Sequence, residues 1–100
     1  MKVSIDLCVI PVGETGSLSP AIAECQRLLT AAGLSPQLHP FGTCVEGDWD
    51  TVMNAVRRCH ERLHALGQAR VFSTLKLSTR NDREQTLADK VDAVRSHLSD

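Results

Sequence analysis

The chain has 100 residues, one domain's worth and well short of the length at which a core divides. Apolar residues make up 42%, enough for one core, and the 23% that are charged are ordinary for a globular surface, which excludes disorder. Eleven basic and twelve acidic side chains give a net charge of −1 with no basic stripe, so neither nucleic acid nor an anionic membrane is an expected partner.

Met1 and Lys2 lead directly into a strand pattern instead of a signal-peptide core, and the apolar stretch at 9–12 is too short to span a bilayer. The cytoplasm is the expected location. The four cysteines, Cys8, Cys25, Cys44 and Cys59, lie at intervals of 17, 19 and 15 with no C-x-x-C pair. Cys25 and Cys59 fall on helical apolar stripes, where a reduced thiol acts as a small hydrophobe.

Residues 3–9 alternate apolar with mostly polar side chains, the period of a strand with one buried face, and Pro11, Gly13 and Gly16 end it. From Leu18 the apolar positions 18, 21, 22, 25, 28, 29 and 32 predict an amphipathic helix, with Ser17 or Ser19 as its cap and Gly33 at its end. Residues 37–41 and 43–46 read as two short strands around Gly42, and Pro40, which cannot donate to a ladder, marks an edge or bulge. Asp48 or Asp50 caps a second helix carrying Val52, Ala55, Val56, Cys59, Leu63 and Leu66 until Gly67. Residues 70–79 form a last strand. A final helix carries Leu87, Val91, Val94 and Leu98, opened by a capping box of Thr86 and Asp89.

The order strand, helix, strand, strand, helix, strand, helix predicts one α+β domain over residues 1–100, a ferredoxin-like βαββαβ sandwich with an added C-terminal helix. Right-handed crossovers put both crossover helices on one face of an antiparallel sheet and leave the other face open. Ser4, Asp6 and Cys8 of the first strand and Phe72, Thr74, Lys76 and Ser78 of the last are expected on that open face, with Asp6 and Lys76 as a cross-strand ion pair. A mixed polar and apolar face of this kind predicts a homo-oligomer.

Two constellations could carry chemistry. His60-Glu61-Arg62-Leu63-His64 matches H-E-x-x-H, which on a helix sets two imidazoles one turn apart and points to a zinc-dependent hydrolase. Against it, Leu63 sits on the core stripe and no third ligand follows at a familiar spacing, which fits a pair of surface or interface histidines. The second, residues 42–49, concentrates polarity where a strand ends and a helix begins. Gly42 and Gly47 allow close backbone approach, Thr43 and Glu46 offer a hydroxyl and a carboxylate, and Trp49, the only tryptophan, stands beside them. The same residues also serve as turn, cap and packing. Phosphate-loop, dinucleotide and nucleophile-elbow motifs do not occur.

Residues 3–13, 17–24 and 40–48, with Arg80-Asn81-Asp82 and Lys90-Val91-Asp92, together resemble the small thiamine-binding, YkoF-like family over nearly the whole chain. The most specific piece is Pro40-x-Gly42-Thr43-x-x-Glu46-Gly47, supported by His60-Glu61 and Arg70-Val71. Phe41 stands where methionine is common, Ala21 where an aromatic is usual, and Ser78 at an acidic position. The resemblance implies dimers and commonly tetramers formed through sheets, and binding of thiamine or its pyrimidine moiety without catalysis and without a further cofactor. Thr43 and Glu46 are then the expected polar contacts, Phe41 or Trp49 the apolar wall, and Asp6 an added charge. A ligand-free assembly or regulatory module is the remaining alternative.

Overall fold

The computed structural model describes residues 1–13 and 16–99. Its elements are β1 (Lys2–Pro11), α1 (Ser19–Ala31), β2 (Gln37–His39), β3 (Gly42–Asp48), α2 (Trp49–Ala65), β4 (Val71–Ser78) and α3 (Leu87–Leu98). The sheet runs β2-β3-β1-β4 with every pairing antiparallel. This is the ferredoxin-like α+β arrangement that the sequence predicts, with α3 as the added helix.

The alternation in β1 sets the layers. Val3, Ile5, Leu7 and Val9 are buried under the helices, and Ser4, Asp6 and Cys8 turn to the opposite face. Cys25 and Leu29 of α1, Val45 of β3, and Val52, Ala55, Val56, Cys59 and Leu63 of α2 complete one core. Burying a side chain such as Leu29 or Leu63 contributes about 1.5–3 kcal/mol. Leu66 is the exception on the predicted α2 stripe: it is the C-cap residue, and it is exposed.

Both crossover helices stop at a glycine. Gly33 and Gly67 adopt φ of +82° and +99°, and the N–H groups of Leu34 and Gln68 then reach back to the carbonyls of Leu29 and Leu63. Asp48 caps α2 by accepting from the Asp50 N–H at 3.2 Å. At α1 the cap differs from expectation: Leu18 holds the N-cap position without a side-chain bond, and Ser17 Oγ accepts from the Ser19 N–H at 3.1 Å. Pro20 in that first turn lacks an N–H and so removes one donor that a cap would serve.

Pro40 and Phe41 make the hairpin turn, which shortens the first predicted strand to β2 and leaves it at the sheet edge. The second, β3, runs on to Asp48. On the open face Asp6 stands opposite Lys76 in the β1–β4 register. In place of the expected ion pair between them, Asp6 makes a hydrogen bond with His39.

Helix α3 has its predicted capping box, with Thr86 Oγ1 accepting from the Asp89 N–H at 3.0 Å and Asp89 Oδ2 from the Thr86 N–H at 2.9 Å. None of its residues is buried. It extends from the body, so the radius of gyration is 15.0 Å where about 13 Å is usual for 100 residues.

Candidate ligand-binding site

The last residue pair between β1 and β3 is Leu7 with Thr43, whereas β1 continues to Pro11 beside β4 alone. Residues 8–11 therefore have no strand along one edge, and α1 lies above the notch. The result is a cleft of about 270 Å³ between α1, the end of β1 and the β2–β3 turn, close to the lower end, about 300 Å³, of small-molecule pockets. Its walls are mostly apolar: Leu7, Val9, Ile10, Leu18, Ile22 and Phe41 are among them.

One buried polar group sits in this apolar setting. Thr43 is 4% exposed, and its Oγ1 accepts from Gln26 Nε2 at 2.8 Å. The hydroxyl keeps its own proton to donate. Phe41, 87% exposed, stands at the lip. Gln26 is a wall that the sequence reading missed, because a glutamine next to core residue Cys25 looks like ordinary helix flank.

Behind this cleft, on the open face, β2 reaches β1 across the intervening β3. His39 Nε2 is 2.7 Å from Asp6 Oδ1, and the Phe41 N–H donates to His39 Nδ1 at 3.3 Å. A nitrogen that accepts carries no proton, so the imidazole proton lies on Nε2 and points at Asp6. Gly42 makes the reach feasible: a Cβ there would lie 2.9 Å from Asp6 Oδ1 and 2.9 Å from the Leu7 carbonyl oxygen. The Cys44 Sγ is 4.0 Å from the same Asp6 oxygen. Burial, then the Asp6 charge, pushes the Cys44 thiol above its ordinary range. Gly47 serves packing instead, since a Cβ there would meet Leu34 and Val52 at 3.0 and 3.4 Å.

The expected site residues thus divide. Thr43 and Phe41 line the cleft, and Asp6 touches it through His39, itself a wall. Glu46 is on the open face, where its Oε2 accepts from the Leu87 N–H at 2.9 Å and holds the start of α3. Trp49 begins α2 at the other end of β3, packs on the core, and donates its backbone N–H to the Met1 carbonyl at 2.8 Å.

The H-E-x-x-H residues are turned to structural partners. His60 Nε2 bonds Ser73 Oγ on β4, His64 Nδ1 bonds the Gln68 carbonyl at 2.7 Å, and Glu61 pairs with Arg57 at 3.5 Å. No helix among the described residues is long and apolar enough to cross a membrane.

A ferredoxin-like domain with a ligand-sized cleft at the α1–sheet boundary defines a class of small binding domain, and comparison with known proteins gives the family. A family model described as thiamine-binding protein matches residues 5–95, and the chain belongs to that family. It is 47% identical over 98 residues to the UPF0045 protein sll0230 of Synechocystis sp., covering 98% of this chain and 81% of the relative. To the UPF0045 protein ECM15 of Eremothecium gossypii it is 38% identical over 97 residues, covering 96% and 92%. The crystal structure of the Methanocaldococcus jannaschii protein MJ1052 superposes with a TM-score of 0.85 at 29% identity, covering 94% and 96%. A Thermotoga maritima protein whose name refers to thiamine biosynthesis or salvage superposes with a TM-score of 0.80 at 24% identity, covering 95% and 100%, and shares the fold.

Proposed function

We propose that this chain is a non-catalytic binding protein for thiamine or its hydroxymethylpyrimidine moiety, working in the cytoplasm as a homo-oligomer, preferentially a tetramer. The observation that carries the reading is the buried Thr43 hydroxyl, oriented by Gln26 and holding a free proton inside an apolar cleft of about 270 Å³. An aminopyrimidine needs this combination: an apolar slot for the ring, a donor for a ring nitrogen and an acceptor for the exocyclic amine. Thr43 Oγ1 is the donor, Gln26 Oε1 can accept, and Phe41 covers a ring face. The edge of β1 at residues 8–11 adds backbone groups. A cationic thiazolium would extend toward the His39–Asp6 pair, where Asp6 offsets its charge.

Glu46 and Trp49 lie outside this cleft in one protomer, so they contact a ligand only where assembly brings them to a neighbour's cleft. Support for assembly comes from the exposed Phe72 on the open face and Val91, Val94 and Leu98 on α3. Calorimetry with thiamine and with hydroxymethylpyrimidine tests the proposal: saturable heat with either supports it. Absence of saturation up to millimolar ligand rejects it in favour of an assembly or regulatory module.

A further inference from the structure

Asp6, His39 and Cys44 form a constellation on the open face behind the α1 cleft, and Cys44 takes no part in the ligand contacts proposed above. Their donor atoms, a carboxylate oxygen, an imidazole nitrogen and a thiol sulfur, all lie within 4.8 Å of one another. They come from three strands, and the register explains the convergence: Cys44 is the β3 partner of Asp6, and His39 is the β2 partner of Gly42. The missing side chain at Gly42 lets His39 pass over β3 to Asp6. Three rigid strands therefore aim three different donors at one point.

We propose that Asp6 Oδ1, His39 Nε2 and Cys44 Sγ bind one divalent zinc-class cation, with a fourth position left to water. A mixed oxygen, nitrogen and sulfur set suits borderline-soft Zn²⁺, whereas Mg²⁺ and Ca²⁺ favour oxygen alone. Tetrahedral coordination with these bond lengths separates the donors by roughly 3.3–3.6 Å. The present separations are 2.7 Å from nitrogen to oxygen, 4.0 Å from sulfur to oxygen and at most 4.8 Å from nitrogen to sulfur. Adjustments of about half an ångström to about one ångström, on exchange of a hydrogen bond for metal bonds, close the site.

Cys44 binds as thiolate and its proton leaves to solvent. His39 gives up the Nε2 proton and becomes protonated at Nδ1, so the Phe41 N–H loses its acceptor. That bond is long and in an exposed turn, so losing it costs little. Metal uptake is therefore linked to the backbone of the turn that bears Phe41.

The test is Zn²⁺ calorimetry on the full chain after chelation and dialysis, with Co²⁺ as a spectroscopic probe. The expected result is one ion per chain, a thiolate-to-cobalt charge-transfer band, and a shifted Phe41 amide resonance. Cys44→Ser should abolish the band, and Cys44→Ser and His39→Gln should each weaken Zn²⁺ binding by about a hundredfold or more. A third variant, Asp6→Asn, keeps the test valid if one of these fails to fold. Substoichiometric Zn²⁺ overturns the proposal, as does stoichiometric Zn²⁺ that survives all three substitutions, which would move the ion to His60 and His64.

Discussion

Thr43 and Glu46, three residues apart on β3, face opposite sides of the sheet: Thr43 lies under α1 with Gln26, and Glu46 holds the N-terminus of α3. An odd spacing on a strand always divides two side chains in this way. The two positions therefore give separable phenotypes. Thr43→Val should weaken thiamine or hydroxymethylpyrimidine binding by about two- to twelvefold, the range for one neutral hydrogen bond. Calorimetry on the folded variant checks it, and unchanged affinity would place the ligand outside the α1 cleft.

Glu46→Gln should act on α3 first. A carboxylate at a helix N-terminus is worth about 0.3–1 kcal/mol, and here it also accepts from the Leu87 N–H. With no buried residue of its own, α3 has little else in the protomer to hold it. Hydrogen exchange of residues 87–98 should accelerate in the variant, while the amides of β1 and α2 keep their protection.

Assembly is checked by mass. The parent protein should scatter light as a multiple of 10.9 kDa. Phe72→Glu and Val94→Glu, which place charges on the open face and the α3 stripe, should each lower that mass. A parent mass of 10.9 kDa at micromolar concentration would refute the oligomer.

Glu24 joins α1 to α2 by accepting from Arg27 at 3.1 Å and pairing with Arg62 at 3.5 Å. The hydrogen bond from Arg27 is the main reason its carboxyl is held below its ordinary value of 4.5. A folded-state value below the unfolded one stabilises the protein above pH 4.5 and loses that contribution as pH falls through the lowered value. Urea midpoints of the parent and Glu24→Gln should therefore differ by a constant small amount at neutral pH and converge in acid. A difference that persists below the carboxylate range would show that the tie is not ionic.

Thiol chemistry separates the cysteines by burial. Cys25 and Cys59 are in the core, and the hydrogen bond with Cys25, then burial, pushes the Cys59 thiol far up. Cys8 and Cys44 are half-exposed on the open face. A chromogenic disulfide reagent should titrate at most two thiols in the native protein, Cys8 and Cys44, and all four in denaturant. Four fast native thiols would contradict the packing of α1 on α2.

Much of this was legible in the residues themselves, because local spacing reports burial. The alternation of 3–9 and the three-four spacing on α1 and α2 predict the layers, Gly33 and Gly67 the helix ends, and residues 40–47 the family. These signals are local, and the covered sheet face follows from the handedness of the crossovers. Spacing on α3 also predicts an apolar stripe, but periodicity does not say what covers it, and in the protomer nothing buries it. The site depended on tertiary structure for the same reason. Gln26 and Thr43 are 17 residues apart, and only the docking of α1 on the sheet makes them partners. His39 meets Asp6 across a 33-residue separation, through the space that Gly42 leaves above β3. Sequence proximity grouped Thr43, Glu46 and Trp49, whereas pleat direction and strand length separate them, because a strand turns alternate side chains to opposite faces and carries each residue about 3.3 Å from the last.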